Sequence, residues 1–150
     1  MLSQIYKFKR LVALFLVTAF CVSNTSMAVI GAEITKYDKL PTNTKIEKDA
    51  AKAIWNIQTT TTAKGGTIGV NTFSRFNVDK GDIVNLRLIN QQNKLVNLVF
   101  DSSASQINGI VNSFKNGQIG GNVLFANPHG FVIGKDGVFN VGSLTLMTPK

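Results

Sequence analysis

Side chains able to do chemistry are few in this chain and widely spaced. His129 is its only histidine, and no second histidine or cysteine stands with it to complete a metal site. Cleavage of a polysaccharide needs paired carboxylates, or a basic residue beside metal-binding acids. From residue 54 onward the acids are Asp79, Asp82, Asp101 and Asp136 alone. Only Asp79 and Asp82 are close, and they flank Lys80-Gly81 in a turn, where aspartates are expected to be solvated. The expectation is a chain with no catalytic residue, no metal ligand, no cofactor and no enzymatic activity.

The elements that must position these residues begin after a leader. Lys7, Lys9 and Arg10 form a basic region, Leu11 to Val22 are apolar, and Ser26-Met27-Ala28 places small residues where a signal peptidase reads them. The apolar run is too short for a membrane-spanning helix, which needs roughly 20 residues. Residues 1–28 are therefore expected to be a Sec signal peptide cleaved after Ala28, with Ala32 as a second candidate. Cys21 leaves with it, and bulky Phe20 before it argues against lipidation. The mature chain then lacks cysteine and must be held by burial and backbone hydrogen bonds. Loss of Lys7, Lys9 and Arg10 takes the formal net charge from +8 to +5. The remaining lysines alternate with acids and have no aromatic platform, so no nucleic-acid partner is expected.

Residues 29–53 are a polar segment. Thr44 with Glu47 has the form of a capping box, and Ile46, Ala50, Ala53 and Ile57 fall near helical spacing, so a short helix is expected there. Ile54-Trp55-Asn56-Ile57 could equally open a first strand. Residues 54–150 contain no Glu and run in short apolar stretches divided by Gly and Asn. Ile83–Leu88 sends Val84, Leu86 and Leu88 to one face, and further strands are expected at Leu95–Phe100, Val123–Ala126, Phe131–Ile133 and Val138–Met147. In the last of these Leu144 and Leu146 should face inward. Asn127-Pro128-His129-Gly130 suits a type I turn, with the Asn127 side chain bonded to backbone two residues on. Gly134-Lys135-Asp136-Gly137 makes a second turn. Such corners suit coils wound around a core, about four of them at roughly 20 residues each. Phe76-Asn77-Val78 and Phe139-Asn140-Val141, 63 residues apart, would then be three coils apart.

The stretch Gly120 to Gly134, with Gly137 to Leu144, resembles the haemagglutination-activity, or two-partner secretion, domain of exported adhesins, cytolysins and contact-dependent inhibition toxins. His129 and Phe131 replace the second Asn and the Ile of that family's Asn-Pro-Asn-Gly-Ile hallmark. Asn71, Phe73, Phe76, Asn77 and Val78 match its Asn-x-Phe-x-x-Phe-Asn-Val block, and Ser105-Gln106-Ile107-Asn108-Gly109 matches its Ser-x-Ile-x-Gly block. An Asn-Pro-Asn-Leu element common in the family is missing.

The resemblance implies an all-β fold, a right-handed single-stranded parallel β-helix over residues 54–150. It also implies a secretion-signal module recognised by an outer-membrane TpsB-type transporter through periplasmic POTRA domains, which starts to fold at the cell surface. Asn127, Pro128, His129, Gly130 and Phe131, with Asn71, Phe73, Phe76, Asn77 and Val78, are the residues this reading assigns to recognition. Lys150 follows a strand with no cap, so a truncated copy or the front of a longer exoprotein is expected. The alternative is a directly adhesive surface β-helix that binds host or cell-surface ligands.

Overall fold

The computed structural model describes residues 31–150. Its strands are β1 (Glu33–Lys36), β2 (Thr44–Asp49), β3 (Ile54–Thr59), β4 (Thr62–Ala63), β5 (Ile68–Asn77), β6 (Ile83–Leu88) and β7 (Lys94–Val99). They continue as β8 (Ser105–Ile107), β9 (Ile110–Lys115), β10 (Gln118–Ile119), β11 (Asn122–Ala126), β12 (Phe131–Ile133), β13 (Val138–Asn140) and β14 (Ser143–Met147). Strand lengths of two to six residues, with one of ten, leave the chain turning a corner every few residues.

Those corners wind the chain into a three-sided β-helix. One face stacks β3, β6, β9 and β13 in parallel, a second stacks β5, β7, β11 and β14, and a third stacks Val78, β8 and β12. Three full coils and two strands of a fourth result. Alternation sends Val84, Leu86 and Leu88 inward as expected, where they meet Trp55, Ile57, Leu95, Val111 and Val123. Where successive coils come close only glycine fits: a Cβ on Gly109 would run into the carbonyl oxygens of Asp79 and Asp82.

Four expectations need correction. Residues 44–49 form strand β2, not a helix. Ile46 lies opposite Ile57, Lys48 sits over the Trp55 ring, and the Thr44 hydroxyl accepts from Thr72 N–H instead of capping a helical turn. Tertiary pairing outweighs the local capping pattern there. The coils are also longer than expected, with stacked side chains on the first face 29, 27 and 28 residues apart. Extra residues go into side structures such as the β9–β10 hairpin. Consequently Phe76 and Phe139 do not occupy equivalent positions: Phe76 lies opposite Ile34, and Phe139 stacks on Val111. Finally, Val138–Met147 is two strands on different faces, broken at Gly142, whose Cβ would fall 2.7 Å from the Gly121 carbonyl oxygen.

Candidate functional site

The Asn127 corner is built as its residue types require. Gly130 N–H donates to the Asn127 carbonyl at 2.9 Å, closing the turn, and Gly130 takes a φ of 85° that a residue with a Cβ would resist. Asn127 is fully buried and its side chain makes three bonds. Its Oδ1 accepts from His129 N–H at 2.9 Å, and its Nδ2 donates to the Ser103 carbonyl and the Ser105 hydroxyl, each at 3.1 Å. The bond to backbone two residues on is the one expected, while the two bonds to the preceding coil had no local signal.

Those bonds continue toward the start of the domain. Ser103 donates through both N–H and hydroxyl to Asp101 Oδ1. Asp101 accepts from Arg75 Nε at 3.0 Å, and Arg75 reaches both oxygens of Glu33 at 2.9 Å. One polar chain thus links β1, β5, the corner after β7 and the Asn127 turn. Burial works to raise the Asp101 pKa, but the Ser103 bonds and the Arg75 guanidinium hold it below the ordinary carboxylate range.

Apart from that chain, the recognition candidates divide by burial. Phe73 and Phe76 meet edge-on at 5.1 Å, Phe76 tilts against Phe125 at 4.8 Å, and Phe131 closes on Phe125 at 6.2 Å. Such contacts add about 0.5–1.5 kcal/mol each beyond burial. Asn77 Oδ1 accepts from Gln106 N–H, and Val78 bridges to Ile107. Asn71 is separate from the corner: buried in the core, it donates to Asn97 Oδ1 at 3.0 Å while its own Oδ1 has no partner. Only Pro128 and His129 stand fully at the surface.

Asp79 and Asp82 depart from the solvated reading. Asp82 is only 5% exposed, because its carboxylate accepts from the Ala32 N–H and so ties the start of the domain to the first coil. Burial, then the charges of Asp82 and Glu33, push the Asp79 carboxyl up. Among the described residues no three His, Cys, Asp or Glu side chains are grouped closely enough to hold a metal ion. The leader and Cys21 lie outside the described residues.

A TPS secretion domain model matches residues 32–150, the whole of the described β-helix except Gly31. The chain belongs to the TPS secretion domain family. No curated protein and no solved structure matches it. Membership makes it the N-terminal module of a two-partner-secretion exoprotein, a class secreted through outer-membrane transporters. The TPS assignment accounts for the three motif blocks together. Their large residues build one aromatic core, and their small polar residues tie neighbouring coils.

Proposed function

We propose that this TPS domain is the part of an exoprotein that a TpsB-type transporter recognises through its POTRA domains, and that its first coils start folding during export. In this reading the Sec machinery carries the chain across the inner membrane, signal peptidase removes residues 1–28, and the extended mature chain then pairs with a sheet edge of the transporter by backbone hydrogen bonds. The observation that carries the reading is burial. Of the ten family-motif residues assigned to recognition, Asn71, Phe73, Phe76, Val78 and Asn127 are shut inside the folded coils. A partner meets them only while the chain is unfolded, and they then become the interior of the first coils. Folding would pull the motif away from the transporter and release it.

Asn127→Ala tests this with the cognate transporter present. Loss of three side-chain bonds in a buried site is expected to destabilise the purified domain by about 2–3 kcal/mol, and surface delivery should fall with it. His129→Ala, at the exposed turn, should change stability by less than about 0.5 kcal/mol. Wild-type export of a measurably destabilised Asn127→Ala chain would reduce the motif to a structural one.

A further inference from the structure

The outer side of the β3–β6–β9 face carries a cleft of about 430 Å³, lined by Gln58, Asn85, Arg87, Ile89, Phe114 and Asn116 among others. Strand alternation makes it. Val84, Leu86 and Leu88 are buried inward, so Asn85 and Arg87 project outward, and the parallel register sets Phe114 next to Arg87. The Asn116-Gly117 turn, with positive φ at both residues, folds β10 back along β9 and supplies the opposite wall.

Arg87 is held in place yet left without a counter-ion. Its guanidinium donates to Asn56 Oδ1 at 3.2 Å, and Asn56 in turn ends a ladder in which Asn140 donates to Asn112, Asn112 to Asn85 and Asn85 to Asn56. Arg75, the other arginine among the described residues, is paired with both Glu33 and Asp101. No carboxylate among the described residues lies within ion-pair distance of Arg87. Glu47 is close enough to feel its charge, but the Glu47 carboxylate is bonded to Lys45 at 2.6 Å. A guanidinium has five N–H donors in a planar fork suited to a carboxylate, and Asn56 uses one of them.

We propose that this cleft binds an acidic monosaccharide unit, such as a uronic acid, with the carboxylate on Arg87, the sugar face on Phe114 and the hydroxyls on the amides of Gln58, Asn85 and Asn116. The volume lies in the range of small-ligand sites, which ordinarily combine an apolar wall with a few convergent polar groups. Side-chain amides both donate and accept, as hydroxyls do, so three around one aromatic ring match a polyhydroxylated ring. A peptide carboxylate is the poorer fit. An extended peptide binds by adding to a strand edge, and here β2 covers the edge of β3 while β10 covers β9 beside Phe114.

Calorimetric titration of the folded chain with glucuronate, against methyl glucoside and an acetylated dipeptide, tests the site. Glucuronate should bind saturably, methyl glucoside at least about tenfold more weakly, and Arg87→Met should lose about tenfold or more for glucuronate alone. Arg87→Lys, which keeps the charge without the fork, should fall between wild type and Arg87→Met. Phe114→Ala should weaken both sugars. Both side chains project from the outer face, and thermal unfolding confirms that each variant is folded. Absence of saturation by glucuronate, equal binding of the two sugars, tighter binding of the dipeptide, or an Arg87→Met chain that binds as wild type would each overturn the proposal.

Discussion

At the first coil two of the three faces are covered by antiparallel strands: β2 lies along β3, and β1 with β4 lies along β5. At the last coil β13 pairs only with β9, and β14 only with β11. Side chains in the same interior column show what that difference does. Leu144 and Leu146 stack in register on Val123 and Phe125, so they face inward as expected, yet they remain 37% and 36% exposed while Val123 and Phe125 are buried. Identical alternation therefore gives a full core residue or a half-wet one, depending on whether a coil lies on each side. Stability in such a stack is close to a sum over neighbouring coils, and the two ends should respond very differently to the same substitution.

Truncation of the core gives the largest contrast. Phe125→Ala removes a ring that touches Phe76, Phe131 and Phe139 and is expected to cost about 3–5 kcal/mol. Leu144→Ala, one coil on, should cost less than about 1 kcal/mol because much of its surface is already in water. Denaturant unfolding compares them, and equal losses would mean the last coil is packed as firmly as the third.

Ionisable groups give a smaller contrast. The folded-state pKa of Asp101 lies below its unfolded value of about 3.9, so its contribution is complete above that pH and is lost as pH falls through the lower folded value. Asp101→Asn should thus destabilise the domain at pH 7, with the difference from wild type closing in acid. Asp79 has the opposite sign. Its raised pKa means that its neutral-pH charge opposes folding, so Asp79→Asn should stabilise at pH 7, an advantage that disappears as pH falls through the raised value. In the fourth coil's approach, Asp136 is held below the usual range chiefly by its bond from Lys135, both at the surface. Asp136→Asn should have little effect at any pH, since exposed pairs contribute little.

Features that depend on two or four neighbouring residues were legible in the sequence. They include alternation in Ile83–Leu88, the Asn127–Gly130 turn with its side-chain bond, and the inward set of Leu144 and Leu146. The family blocks added the β-helix itself. What stayed hidden depends on coil length. Arg87 meets Asn56 at a separation of 31 residues, and Asn127 meets Ser103 at 24. Neither pairing can be drawn until the period is known. A signal for that period was present in another motif: Ile54-Trp55-Asn56, Ile83-Val84-Asn85, Ile110-Val111-Asn112 and Val138-Phe139-Asn140 each place a β-branched residue two before an asparagine of the ladder. The Phe-Asn-Val echo competed with it and pointed to the wrong partners. The burial of Asp82 stays hidden for the same reason, because the Ala32 amide that its carboxylate accepts from is 50 residues away.

Hydrogen exchange followed by mass spectrometry on the folded chain tests most directly whether order is anchored at the covered end. Amides of β3, β5 and β6 should exchange slowest, and protection should fall through β9 and β11 to β13 and β14, where local opening requires breaking contacts with a single neighbouring coil. Exchange in Ser143–Met147 as slow as in Ile83–Leu88 would contradict it, and the difference between the two ends would then be one of exposure without consequence for folding.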